Sequence, residues 1–241
     1  MEGIRGGSMV ARSCTVLRFA ILAGFLGWAV GVGSDLPGDG PECVKVLVER
    51  ALHGPLACLT DYKLEVLALE GDYYYLRTAP DPQTAALPPK RRTYDLFANP
   101  VLCNASGPSE EALYAIVIHE LNHILDYTQL GITQFAEFGI QYATNYPFQI
   151  WYEHATDYRV LELDLGHGLA DYRKWIYGVL PDEEAICQKK LEYYTPKQIA
   201  AYQLEHPFYY QRACPPDYTF HAEYPGDCFG TCHYTTNCSA V

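Results

Sequence analysis

The 241-residue sequence is poor in basic residues. It contains 17 Lys and Arg residues against 29 Asp and Glu residues, which gives a formal net charge of −12 at pH 7. A nucleic-acid-binding protein, or one that docks on anionic membranes, needs a surface of clustered positive charge. Because the chain lacks this excess of positive charge, we expect neither nucleic acid nor an anionic lipid surface as its partner.

Long apolar runs are also scarce, and the one that exists lies at the start of the chain. Three arginines, at positions 5, 12 and 18, accompany an uncharged run of fifteen residues, 19–33. A membrane-spanning helix needs about 20 apolar residues, whereas a basic segment, a short apolar run and small residues are typical of a secretory signal. We therefore predict a cleaved signal over residues 1–34 and a secreted or periplasmic protein. A retained N-terminal anchor is the alternative, and without it we expect no stable membrane insertion.

Cysteine is unevenly distributed along the chain. One of the nine cysteines lies in the predicted signal, and four of the other eight lie within the last 28 residues. An even number of cysteines in an exported chain predicts disulfides. We therefore expect a globular domain over residues 35–206, followed by a disulfide-rich tail over residues 207–241. A zinc knuckle or a haem attachment at Cys228–His233 is the alternative to a plain disulfide in that tail.

The hydrophobic pattern of the first hundred residues predicts one helix and three strands. Apolar residues recur at helical spacing over 44–52, and a Gly-Pro pair ends that helix. Segments 63–69 and 72–78 are rich in strand-forming residues and are separated by a Glu-Gly turn, which predicts a hairpin. Thr93–Ala98 is a third candidate strand. These elements predict a small sheet in the N-terminal half.

The rest of the domain is predicted to be helical. Ser109 is a good N-cap for a long helix with an apolar stripe, and Gly131 should end that helix. The sequence is again helical from Pro147 onward, and Thr195–Gln198 has the pattern of a capping box. The predicted fold class is therefore α+β, with a small sheet, one long helix and a mainly helical C-terminal part.

The long helix carries the HExxH pattern His119-Glu120-Leu121-Asn122-His123. Residues four apart lie on one helix face, so His119 and His123 can bind one metal ion, and Glu120 can reach a water on that metal. Neutral imidazole suits Zn²⁺, which lowers the pKa of a bound water to about 7. The apolar flank over residues 114–118 indicates a buried helix rather than a surface helix with two incidental histidines. The pattern therefore predicts Zn²⁺ as the cofactor.

A third ligand must come from outside the motif. A metzincin would have glycine at the position of Asp126 and a ligand at that of Gln129, so the sequence excludes that class. Glu153 is favoured, because Asp157 follows one helical turn later and could accept a hydrogen bond from a ligand histidine. The alternative ligands are Glu137 and His154.

The segment 119–162 resembles the gluzincins, the thermolysin-like clan of zinc peptidases, in which HExxH is followed on a later helix by Glu-x-x-x-Asp. The resemblance implies a zincin-like fold, with the small sheet packed on the active-site helix. It also implies that His119, His123 and Glu153 are the zinc ligands. Glu120 would be the general base and acid, and Asp157 would orient a ligand histidine. No motif matches the clan's transition-state-stabilising His or Tyr, and other histidines that could donate there are His167, His206 and His221.

The motif and the resemblance together favour an exported zinc metallopeptidase that hydrolyses peptide or protein substrates. Two alternatives are a non-catalytic secreted zinc-binding scaffold and a zinc amidase acting on cell-wall or small-molecule amides. Glu120 argues against the scaffold, because a structural zinc site needs no carboxylate beside its ligands and closes with a fourth protein ligand. No feature of the sequence separates a peptidase from an amidase.

Overall fold

The computed structural model describes residues 40–71 and 75–205 of the chain. The predicted signal and the cysteine-rich tail lie outside the described residues, as do His206 and His221, and they stay predictions. The described residues form an α+β fold with a three-stranded sheet and seven α-helices, which confirms the predicted fold class. Among them, no helix combines the length and the apolar character needed to cross a membrane.

The sheet differs from its prediction in strand order. It contains β1 (Lys63–Ala68), β2 (Leu76–Pro80) and β3 (Thr93–Ala98), with β3 in the centre. β1 pairs with β3 in parallel and β2 pairs with β3 antiparallel, so the predicted hairpin between the first two strands is wrong. Every residue of β3 is buried, whereas β1 and β2 are mostly half-buried. The most buried strand takes the central position, where both of its edges find partners.

Helix α1 (Glu42–Leu52) matches its prediction and packs against the long helix that carries the HExxH motif. A disulfide joins Cys43 at its start to Cys103, which ends the short 3₁₀ helix Pro100–Cys103. The two cysteines are 60 residues apart in sequence, and closing a loop of that length stabilises the fold by about 4 kcal/mol in the chain-entropy account. This pair confirms one predicted disulfide, and the full set of four stays a prediction.

Helix α2 (Glu110–Gln129) runs through the middle of the domain. Its N-cap is Ser109, as predicted, because the Ser109 side chain accepts a hydrogen bond from the Ala112 backbone N–H at 3.2 Å. Every residue from 112 to 125 is buried, on all faces of the helix. The HExxH motif therefore lies inside the domain, where its polar side chains must find partners.

Five further helices follow α2 along the chain: α3 (Ile132–Thr144), α4 (Tyr146–Glu162), α5 (Gly166–Val179), α6 (Glu183–Glu192) and α7 (Pro196–Glu205). The predicted capping box starts α7, where the Thr195 backbone N–H donates to Gln198 Oε1 at 2.8 Å. Helix α5 comes very close to α2 at Gly168, because a Cβ there would lie 2.5 Å from the Glu111 carbonyl oxygen. This close approach brings α5 and the side chains that follow Gly168 against the motif helix.

Helix α3 was not predicted. Its only buried residue is Gly139, and it lies on the outside of the domain. Phe135, Phe138 and Tyr142 recur at helical spacing, and this pattern could have predicted the helix. Helix α3 nonetheless contributes to the buried cluster, because its Tyr142 side chain contacts Glu153 on α4.

Candidate metal centre

Three buried side chains from two helices converge on one point. His119 and His123 extend from α2, and Glu153 extends from α4. The two Nε2 atoms are 3.1 Å apart, and Glu153 Oε2 lies 3.2 Å from the first and 3.4 Å from the second. The three residues are 1%, 6% and 2% exposed. The structure therefore brings together the three residues predicted as ligands, and this cluster could hold a metal ion.

The spacing of the three donor atoms fits a small divalent ion. Tetrahedral ligands 2.0–2.1 Å from a metal lie about 3.3 Å from one another, and the three edges measured here are 3.1, 3.2 and 3.4 Å. Two imidazole nitrogens and one carboxylate oxygen suit late first-row metals. Within the described residues no fourth His, Cys, Asp or Glu joins the group, which is the pattern of a site with an open coordination position.

Glu153 is held in place by helix α3. The Tyr142 hydroxyl donates a hydrogen bond to Glu153 Oε1 at 2.5 Å, so the other carboxylate oxygen, Oε2, faces the imidazoles. Burial acts to raise the pKa of Glu153, but the charge of His123 and hydrogen bonds from both imidazoles lower this pKa well below its usual range. Glu153 is therefore ionised, as a metal ligand must be. Tyr142 was missed because no sequence motif marks it.

His119 is held from behind by Asp157. Asp157 Oδ1 lies 2.9 Å from His119 Nδ1, although off the N–H direction. Arg173 donates to the same oxygen at 2.8 Å, and the Tyr194 backbone N–H donates to Oδ2 at 2.9 Å. The structure thus places Asp157 beside a motif histidine, where the sequence predicted it. Arg173, which no motif marks, was missed.

The carboxylates around His119 also control its protonation. Burial acts to lower the pKa of His119, but its contacts with Asp157 and Glu153 raise this pKa to about 9. The imidazole is therefore protonated at pH 7 in the metal-free protein. Because a histidine ligand must be neutral, metal binding has to displace that proton.

His123 has different surroundings. Its ring lies 5.0 Å from the ring of Tyr152 and 6.4 Å from the stacked ring of Tyr127, measured between centroids. Its Nδ1 atom is buried and has no hydrogen-bond partner among the described residues. On its Nδ1 side, therefore, aromatic packing rather than a hydrogen bond supports this imidazole.

Glu120 lies next to the cluster and faces β2. The Thr78 hydroxyl donates to Glu120 Oε2 at 3.3 Å, and Glu120 is 8% exposed. Its side chain lines a cleft together with Tyr193, among other residues. The Glu120 carboxylate follows His119 on α2 and lines the cleft, where it can exchange a proton with a molecule bound there. Thr78 and Tyr193 were both missed by the sequence analysis.

The alternative site residues lie elsewhere. Glu137 is exposed on α3, and the His154 ring packs against Tyr194 at 4.5 Å, so neither belongs to the cluster. Asp126 forms a two-pronged ion pair with Arg159, with N–O distances of 2.6 and 2.7 Å. A further histidine considered as a donor, His167, is exposed on α5 and does not line the Glu120 cleft.

Comparison with protein-family models, curated proteins and solved structures finds no match to this chain. The gluzincin resemblance therefore depends on two short patterns, HExxH and the Glu153–Asp157 spacing. The geometry and chemistry of the cluster and its surroundings are therefore the evidence on function.

Proposed function

We propose that this protein is a zinc-dependent hydrolase of peptide bonds, a gluzincin-type metallopeptidase with a zincin-like fold. The observation that carries the proposal is the buried triangle of His119, His123 and Glu153, and the cleft-lining Glu120 next to His119 in the sequence supports it. In the proposal these three residues hold Zn²⁺, which when bound supplies Lewis acidity and lowers the pKa of a coordinated water to about 7.

Glu120 acts as the general base and acid. It accepts a proton from the attacking water and returns it to the leaving amine. The Thr78 hydroxyl holds one carboxylate oxygen at 3.3 Å, which leaves the other oxygen for the proton transfer. Because Glu120 is not part of the ligand triangle, its carboxylate remains available for this work.

Tyr193 acts as a hydrogen-bond donor to the negative charge that develops on the carbonyl oxygen. Its ring lies 5.8 Å from the His119 ring and lines the same cleft as Glu120. Burial raises the pKa of Tyr193 well above its usual value, and the charge of Glu153 adds to this effect. The hydroxyl therefore keeps its proton. A positioned donor of this kind contributes strongly to acyl-transfer catalysis.

Strand β2 favours a peptide over a small-molecule amide as the substrate. Among the described strands it pairs only with β3, so it lies at an edge of the sheet. Leu76 lines the cleft and Thr78 contacts Glu120, so this edge strand runs beside the reacting groups. An extended peptide can add to a sheet edge through main-chain hydrogen bonds, which would place its amide bond next to Glu120.

The substitution Glu120→Gln tests the proposal. It keeps size and hydrogen bonding but removes the base, so peptide hydrolysis should fall by about a hundredfold or more while zinc remains bound. Turnover on a mixed peptide library and metal content of the purified protein are the measurements, and Glu137→Gln on the exposed face of α3 is the matched control.

Two outcomes would contradict the proposed function. Unchanged turnover in the Glu120→Gln variant would show that this carboxylate is not the base. A zinc-loaded wild-type protein that hydrolyses neither peptides nor small amides would favour the non-catalytic scaffold, and one that hydrolyses only small amides would favour the amidase.

A further inference from the structure

The small cleft beside Glu120 has an unusual wall. One part is apolar and comes from β2, α2 and α5. The other part contains two cations, Arg173 on α5 and Lys189 on α6, which are only 3% and 8% exposed. Buried Arg and Lys side chains are rare and need a partner, so two of them in one cleft call for an explanation.

Both cations converge on a single aromatic ring. The Arg173 guanidinium carbon lies 4.2 Å from the centroid of the Tyr193 ring, and Lys189 Nζ lies 5.0 Å from the same centroid. Two like charges held this close in a buried place repel each other, because the low dielectric weakens screening. The arrangement is therefore favourable only if negative charge lies near both.

Each cation pairs with a carboxylate that does not line the cleft. Arg173 pairs with Asp157 at 2.8 Å, and Lys189 pairs with Glu192 at 3.3 Å. The Arg173 Nε atom is buried and has no hydrogen-bond partner in the part of the chain that the structure describes. The two cations therefore contribute positive charge to the cleft wall, and Arg173 keeps one unused donor atom.

We propose that this cleft binds a carboxylate group of the substrate, next to the bond that Glu120 acts on. The carboxylate comes from a C-terminal residue or from an acidic side chain, and the inference rests on the proposed peptidase function. Charge-assisted hydrogen bonds from a guanidinium and an ammonium group are short and strong. Because the chain as a whole carries −12, the preference for negative substrates has to arise in this cleft and not from long-range attraction.

Matched substrate pairs test this inference and separate the two sources of the carboxylate. One pair differs in a free against an amidated C-terminus, and the other in an internal Glu against Gln. We expect the wild type to hydrolyse the acidic member of one pair with a kcat/KM at least about tenfold higher, a ratio set by a single charge-assisted contact. Equal rates within both pairs would overturn the proposal.

The variant Lys189→Met identifies the residue responsible. It should abolish most of the preference for the acidic over the neutral member of a pair, whatever the absolute rate, and Lys189→Arg should restore the preference. Lys190→Met, on the exposed neighbouring position, is the control. Since Lys189→Met leaves Glu192 buried without its cation, the double variant Lys189→Met/Glu192→Gln provides a second, charge-balanced test, and an unchanged preference in it would overturn the proposal.

A binding measurement separates this inference from the proposed function. N-acetylphenylalanine and its amide, and N-acetylglutamate α-amide and its glutamine counterpart, are titrated into wild-type protein and followed by NMR. Tighter binding of an acid than of its amide, lost in Lys189→Met, would support the carboxylate site even if no peptide were hydrolysed. Equal binding of acids and amides by a protein that does hydrolyse peptides would overturn this inference and leave the proposed function intact.

Discussion

The two histidines of the HExxH motif contribute to the same cluster from opposite surroundings. His119 is backed by a charged network in which Asp157 contacts its Nδ1 and Arg173 and a backbone N–H hold that carboxylate. His123 is backed by the rings of Tyr127 and Tyr152 and makes no hydrogen bond through Nδ1 among the described residues. One imidazole is oriented by electrostatics and the other by shape.

The difference has an energetic meaning. In a buried charged network, each member left without its partner costs the full desolvation energy of a charge. Aromatic packing is the sum of many weak contacts, so removing one hydroxyl from an aromatic neighbour costs little. Substitutions on the charged side should therefore disturb the site strongly, and substitutions on the aromatic side weakly.

Removal of a ligand should have the largest effect. A structural zinc site binds with about 10–16 kcal/mol over four ligands, so losing one ligand should weaken affinity on the order of 10²- to 10³-fold. We expect His119→Ala, and likewise Glu153→Gln, to lose bound zinc on dialysis against a mild chelator. Metal content by atomic spectroscopy is the measurement, and Glu137→Gln should retain the ion. Stoichiometric zinc in His119→Ala would show that the cluster is not the site.

Loss of the charged support should come next. Asp157→Asn should weaken metal affinity by about 10- to 100-fold, as is usual when the partner of a ligand histidine is changed. It also leaves Arg173, which is 3% exposed, without its buried counter-charge, a loss of about 3–5 kcal/mol in related cases. Competitive chelator titration and thermal unfolding would measure both effects. A variant with wild-type affinity and midpoint would remove the distinction between the two histidines.

The protonation of His119 predicts a pH dependence with opposite signs in the two states. Its pKa of about 9 in the folded, metal-free protein lies above the ordinary histidine value of 6.5. The stabilisation from this group is therefore fully present below pH 6.5 and is lost as pH rises through about 9. Metal affinity should instead rise over that window, by about tenfold per pH unit, because the ion displaces one proton.

Chelator-treated and zinc-loaded protein, unfolded across this pH range, would test both signs. The Asp157→Asn variant should shift the dependence to lower pH, because it removes a contact that raises the pKa of His119. Metal affinity that is independent of pH between 6.5 and 9 would show that His119 is already neutral before the ion binds.

Two tyrosine hydroxyls should give the smallest effects and provide a matched pair. Tyr142→Phe removes the hydrogen bond to Glu153 Oε1 and should lower metal affinity by about tenfold, since a hydrogen bond to a charged group is worth about 1.5 kcal/mol at the low end. The Tyr152 hydroxyl is buried without a partner among the described residues, so Tyr152→Phe should leave affinity unchanged and stability equal or slightly higher. A stronger effect of Tyr152→Phe than of Tyr142→Phe would contradict the comparison.

Much of the local structure could be predicted from the sequence. The start of α2 at Ser109, the extent of β3 and the capping box of α7 agree with their predictions, because caps and hydrophobic periods are set by neighbouring residues. The strand order could not be predicted in this way. It depends on which strand is buried on both edges, and that is settled by contacts between residues distant in sequence.

In the candidate site, too, the local spacing of residues could be predicted and the contacts between distant segments could not. The sequence alone determined that two imidazoles four residues apart share a face of α2, and that Glu153 and Asp157 share a face of α4, since helix geometry sets both spacings. Only the tertiary structure decided that these two faces meet, with donor atoms 3.1–3.4 Å apart. It also decided that Tyr142, Arg173 and Tyr193 surround them. Those three residues carry no local pattern, and they reach the cluster because α5 packs against the motif helix while α3 and α6 pack against α4.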